Sequence, residues 1–143
     1  MGSPLRNTYD QSAVVPFVLK DGALEILLIT NRSGKRWVIP KGFVEDDLTA
    51  QQSAAREAYE EAGIKGKVYE ESIGEYRYRK WQGTLNVAVF LFEVHDVLEE
   101  WPEFHFRERA WLSVDEAAEL VDEKALKKII RRVPKLIDTM SIR

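Results

Sequence analysis

Residues 42–64, GFVEDDLTAQQSAAREAYEEAGI, form the stretch around which the rest of the chain can be placed. Thr49 with Gln52 three residues on makes a capping box, and Gly63 supplies a left-handed stop, so a helix is predicted from Thr49 to Gly63. Ala55, Ala58, Tyr59 and Ala62 recur on it at helical spacing, giving an apolar face whose alanines allow close approach to a sheet. At about 100° per residue, Glu57, Glu60 and Glu61 gather on the opposite side.

Three carboxylates at that spacing repel one another, because residues three and four apart on a helix are neighbours. A hard divalent cation, Mg²⁺ or Mn²⁺, would relieve the repulsion, since such ions take oxygen ligands and combine carboxylates with substrate phosphates. Taken alone, REAYEE is more often the solvated face of a helix, with Arg56 pairing Glu60. Its surroundings favour chemistry. Gly42 ends an apolar strand ahead of the acidic loop Glu45-Asp46-Asp47, and the capped helix carries its carboxylates back towards that loop.

Outward from this segment, AVVPFVL and LEILLIT between Ala13 and Thr30 flank Asp21-Gly22 and predict a hairpin. Pro16 would place its strand at an edge or a bulge. A short strand follows at Trp37-Val38-Ile39. Val68 to Tyr78 and Leu85 to Val94 predict a second hairpin turning near Trp81-Gln82-Gly83-Thr84, and Phe106 to Leu112 a further strand. Ser113 with Glu116 caps another helix. A last amphipathic helix starts near Glu123, and Pro134 is expected to kink or divide it. The order β-β-β-α-β-β-β-α-α describes one α+β domain over residues 1–143, a mixed β-sheet sandwiched between helices, with residues 1–10 expected as a flexible N-terminal segment.

The 143 residues, 45% hydrophobic, suffice for one core without cross-links. The absence of cysteine removes disulfides, thiolate metal sites and cysteine nucleophiles. No apolar run approaches the roughly 20 residues that span a bilayer, so no membrane partner is expected, and with no cysteine to mark a redox compartment the cytoplasm is the expected location. A net charge of −3 argues against a stable nucleic-acid partner. A monomer or homodimer is expected.

Residues 42–64 resemble the Nudix box: Gly, five residues, Glu, seven residues, then Arg-Glu-aliphatic-any-Glu-Glu-any-Gly-aliphatic. Gly42, Arg56, Glu57, Glu60, Glu61, Gly63 and Ile64 fall in register, whereas Leu48 stands in place of the first glutamate and Ala58 in place of a larger aliphatic residue. The resemblance implies a Nudix fold and metal-dependent hydrolysis of a diphosphate linkage. It further implies that Glu57, Glu60 and Glu61 hold the metal, that Arg56 orients a carboxylate, and that Gly42 lets the backbone pass close by. Glu45 is the expected substitute for the missing glutamate.

RWVIPKG, REAYEEAGIKGK and RERAWLSVDEA are similar to the diphosphoinositol polyphosphate phosphohydrolase branch, which implies diphosphoinositol or diadenosine polyphosphates as substrates. Lys35, Arg36, Lys41, Arg77, Arg79 and Arg107 are then candidates to grip phosphate, although Arg77 and Arg79, two apart on a strand, equally fit a plain solvent face. Tyr76, Tyr78 and Trp81 are candidates to stack on a base. Alternatives to the hydrolase are a Nudix-fold module that senses a nucleotide without cleaving it, which Leu48 supports, and an RNA 5′-end pyrophosphohydrolase, which the acidic balance disfavours.

Overall fold

The computed structural model describes residues 10–80 and 83–142. The expected N-terminal segment, apart from Asp10, and the turn residues Trp81 and Gln82 lie outside them. Strands β1 (Gln11–Lys20), β2 (Ala23–Thr30), β3 (Trp37–Val38) and β4 (Lys41–Phe43) precede helix α1 (Ala50–Ala62). Then come β5 (Ile64–Lys80), β6 (Gly83–Val97), β7 (Arg109–Leu112), α2 (Val114–Leu120) and α3 (Lys124–Thr139).

The sheet runs β3-β2-β1-β6-β5, with β4 paired to β1 and β7 to β2. β1 and β6 are parallel and the other pairs antiparallel, so the sheet is mixed, as expected. Both faces are covered. Ala13, Val15, Phe17, Val87, Val89 and Leu91 pack towards α2 and α3. The alternate residues Val14, Ala88, Phe90 and Phe92 pack with Ala54, Ala58 and Ala62 of α1. Burial on both sides explains why the central strands are continuously apolar instead of alternating.

Pro16 does not mark an edge, because β1 is the central strand. On one side β1 meets β4 through Gln11–Ala13 and β2 through Phe17–Lys20, and Val14 N–H donates to Pro40 O at 3.1 Å in between. Backbone N–H groups alternate sides along a strand, so the donor that Pro16 lacks would point to the same side as that of Val14, into the seam between β4 and β2. Proline is tolerated there because the ladder is changing partners.

Three other sequence expectations shift. β4 is a strand not anticipated, β7 starts only at Arg109, and Pro134 does not divide α3. Pro134 has no N–H to donate, and an interior proline costs about 3 kcal/mol. Burial of Ile129, Ile130, Val133 and Ile137 outweighs this at roughly 1.5–3 kcal/mol each. No helix among the described residues is long and apolar enough to cross a membrane.

Helix α1 forms as its caps dictate. Thr49 Oγ1 accepts from Gln52 N–H at 3.0 Å, the Gln52 side chain accepts from Thr49 N–H at 2.9 Å, and Gly63 ends the helix at φ 66°. Its buried face comprises Ser53, Ala54, Ala58 and Ala62, whereas Tyr59, expected on that face, is exposed. A Cβ on Gly63 would lie 2.6 Å from the Trp101 ring. Gly63→Ala combines a left-handed penalty with overpacking and is expected to cost about 3 kcal/mol, read from urea unfolding. A loss below about 1 kcal/mol would show that the ring moves aside freely.

Candidate active site

The site lies where α1 crosses the start of β4. Lys41 to Phe43 pair with Ala13 to Gln11 of the central strand, which fixes β4, and α1 packs its alanines onto the same sheet. A cavity of about 760 Å³ opens beside this crossing, within the range of small-molecule sites. Glu57 and Glu61 supply its acidic wall; Lys41, Arg32, Lys80 and Arg107 supply cations.

The three helix glutamates do not stay together. Glu57 and Glu61, one turn apart, face the cavity, while Glu60 turns to Arg56, whose Nε donates to it at 3.0 Å. Arg56 Nη1 also reaches Glu45 at 3.3 Å, so one guanidinium holds both carboxylates. Glu45 lines the cavity from the turn that ends at Leu48, where Leu48 N–H donates to Glu45 O at 3.0 Å.

Burial of Glu57 and Glu61 disfavours their charged forms. Burial, then the neighbouring Glu61 and Glu60 charges, push Glu57 up to about 8. Burial likewise pushes Glu61 up to about 7, against the lowering effect of Arg107 and of the Lys41 N–H, which donates to its Oε1 at 3.2 Å. Gly42 leaves room for a carboxylate at the crossing. A Cβ there would overlap the Glu57 carboxylate, so the absence of a side chain lets that carboxylate rest against β4.

Arg107 is buried at 9% exposure. Its Nη2 lies 3.5 Å from Glu61 and 2.8 Å from Glu103, and its Nη1 donates to Thr30 O at 2.8 Å. It is therefore engaged by carboxylates and backbone. Lys41 Nζ donates to Tyr78 Oη at 3.2 Å, and Tyr78 donates onward to Gln11 Oε1 at 2.7 Å, which fixes the ammonium in the wall.

The other basic candidates fall elsewhere. Arg36 pairs with Asp122 at 3.0 Å, and Lys35 is exposed on the 31–36 loop. Arg77 and Arg79 are exposed on β5, opposite Asn86 and Thr84, and none of these four residues lines the cavity. Tyr76 is a core residue at 4% exposure, Tyr78 serves Lys41, and Trp81 lies outside the described residues. Sequence reasoning missed Arg32 and Glu103, which face each other at 3.8 Å. Glu103 and Arg107 sit four apart, a spacing that could have signalled their pairing.

Among the described residues no three acidic or histidine side chains already converge as a ligand set. The donor chemistry nevertheless suits a hard cation. Glu57 and Glu61 offer carboxylate oxygens in a partly dry cavity wall, where burial first of all raises their pKa values and a bound cation would favour the ionised forms.

The NUDIX domain family matches residues 9–133. Nudix hydrolase 12, mitochondrial, of Arabidopsis thaliana is 37% identical over 134 residues, covering 85% of this chain and 64% of that protein. Diphosphoinositol polyphosphate phosphohydrolase 2 of Rattus norvegicus is 35% identical over 101 residues, covering 68% of this chain and 54% of that protein. The chain thus spans about half to two thirds of the length of these two relatives. The binary complex of a C. elegans Ap4A hydrolase has the same fold, with a TM-score of 0.79 at 20% identity over 92% of this chain and 99% of that one. With residues 42–64 in register with the Nudix box and the family match running over most of its length, the chain belongs to the Nudix family.

Proposed function

We propose that this chain is a hydrolase of phosphoanhydride (diphosphate) linkages in a polyphosphorylated small molecule, using Mg²⁺ or Mn²⁺ held by Glu57, Glu60 and Glu61. The observation that carries this reading is the Glu57–Glu61 pair, two carboxyl groups one helical turn apart in the wall of a small-molecule cavity, with Gly42 leaving room for the first of them. Nudix hydrolases generally use divalent metals, and a bound cation supplies charge neutralisation and Lewis-acid polarisation at the phosphoryl oxygens.

The chain's own residues bind and orient. Glu57 and Glu61 give up their protons to hold the cation, and the bare Cα of Gly42 leaves room for the Glu57 carboxylate. Arg56 bridges Glu60 and Glu45; Glu60 joins Glu57 and Glu61 around the cation by sharing that guanidinium, and the position of Glu45 in the cavity lining supports it as the stand-in for the glutamate missing at Leu48. Lys41, fixed by Tyr78, and the rim cations Arg32 and Lys80 grip phosphate by charge-assisted bonds. Arg107 balances Glu61 and Glu103.

Diphosphoinositol and diadenosine polyphosphates are the proposed substrates. The sequence similarity to the diphosphoinositol branch supports them, as does the mixture of a metal-holding wall with several cations, which suits a ligand carrying more than one phosphate. The test is phosphate release with Mg²⁺ from a panel of diadenosine polyphosphates, nucleoside diphosphate sugars and diphosphoinositol polyphosphates. Absence of turnover across the panel, with binding retained, would favour a sensing module instead.

Glu60→Gln and Glu57→Gln are each expected to lower kcat/KM by about two orders of magnitude or more, the equivalent of losing a few kcal/mol of charge stabilisation. Unchanged turnover would remove that carboxylate from the metal site. Glu61→Gln is a less clean test, because Glu61 also accepts from Lys41 and meets Arg107.

Lys41→Met is expected to raise KM by about tenfold, one charge-assisted bond's worth. Arg77→Ala combined with Arg79→Ala is expected to leave KM unchanged. The reverse pattern would move the phosphate site onto β5.

Both carboxyl groups have folded pKa values above the ordinary 4.5, so their protonation stabilises the metal-free fold fully below that value. That stability is lost as pH rises through about 7 and about 8. The metal-free Tm is therefore expected to fall more between about pH 5 and about pH 9 in the unsubstituted protein than in Glu57→Gln. Mg²⁺ should raise Tm most at the upper end, where the ligands are ionised. Equal pH slopes would show that Glu57 does not carry the burden.

A further inference from the structure

The last carbonyls of a helix have no partners within it. In α1 the final three, those of Glu60, Glu61 and Ala62, are each taken by the stretch 101–109, which runs from the β6–β7 connection into the first residue of β7. Glu103 N–H donates to Glu60 O at 3.2 Å, Trp101 Nε1–H to Glu61 O at 2.9 Å, and Arg109 Nη1 to Ala62 O at 3.0 Å. The two side-chain donors also hold each other, since the Arg109 guanidinium carbon lies 3.9 Å from the centre of the Trp101 ring. That ring seats against the open backbone of Gly63 and is 9% exposed.

The same segment reaches the other end of Glu61. Arg107 lies 3.5 Å from its carboxylate, so backbone carbonyl and carboxylate are both held by residues 101–109. Neither Trp101 nor Arg109 lines the cavity.

We propose that Trp101 and Arg109 are positioning residues, a clamp on the last turn of α1 that sets where the Glu60 and Glu61 carboxylates point. This rests on the metal-holding role proposed above for those glutamates. A helix end frays unless its carbonyls are bound, and fraying here would let both carboxylates wander. A guanidinium at a helix C-terminus also complements the dipole there, and the flat indole face stacks against it.

The test uses the full chain with Trp101→Phe, which deletes the indole N–H but keeps a ring over Gly63, and with Arg109→Met and Arg109→Lys. At a temperature where all variants remain folded, Trp101→Phe and Arg109→Met are expected to lower kcat and raise the half-activating Mg²⁺ concentration about 10- to 100-fold, the usual effect of removing a ligand's outer partner. KM for the panel member turned over fastest should stay within about twofold, because the cavity lining is untouched. Arg109→Lys restores a donor for Ala62 O and should recover part of the loss, whereas a packing role would be served as well by methionine.

Carboxyl carbon resonances of Glu60 and Glu61 in the metal-free protein give a readout independent of turnover, and they are expected to move in Trp101→Phe and Arg109→Met while that of Glu116 in α2 does not. A lowered Tm with unchanged kcat, Mg²⁺ requirement and resonances overturns the proposal. Moved resonances without turnover in the unsubstituted protein uphold the clamp and overturn the hydrolase.

Discussion

Two carboxyl groups one helical turn apart share a partly desolvated wall between α1 and β4, and the surrounding structure is organised to keep them there. Like charges at that spacing repel, and burial strengthens the repulsion because less water is available to screen it. Three features offset it: protons retained by raised pKa values, the Arg107 guanidinium beside Glu61, and the Lys41 N–H pointing at Glu61. None of them gives Glu57 a cation of its own. The site is therefore short of positive charge on the side where Gly42 opens the backbone.

That arrangement depends on packing well away from the carboxylates. Alanines at 54, 58 and 62 bring α1 close to the sheet, and the apolar faces of β1 and β6 give it a floor. Because β4 pairs with β1, helix and loop are both referred to one central strand, and their separation is set by close-packed residues. Arg32, Glu103 and Arg107 then tie the 31–36 loop to the far wall through a chain of alternating charges.

What the sequence revealed was whatever is encoded locally. The Thr49–Gln52 box, the Gly63 stop, the Asp21-Gly22 turn and the Ser113–Glu116 box each depend on residues a few positions apart, and each is present. The fold class and the membership of residues 42–64 in a known motif followed from such signals. What stayed hidden was decided by distant partners. Helical periodicity places Glu57, Glu60 and Glu61 on one side, but Arg56 draws Glu60 away while β4 receives the other two. Arg36 is taken by Asp122 and Arg107 by Glu61 and Glu103, pairings that no local pattern specifies. β4 itself is three residues long and is defined by its pairing with Gln11–Ala13 of β1, a partner about thirty positions away.

The parallel pairing of β1 with β6 carries a consequence for how the molecule is made. Residues 11–17 find their partners only at residues 87–93, so as the chain emerges during synthesis β1 first exists with one side uncovered. A long apolar strand in that condition is a template for pairing with other chains. Pro16 interrupts the run with a missing donor and a fixed φ, and in the finished sheet it sits where the ladder changes partners. A proline within such a run disfavours pairing with other chains as a matter of backbone chemistry, and here it stands at a position where the native sheet has least use for its N–H.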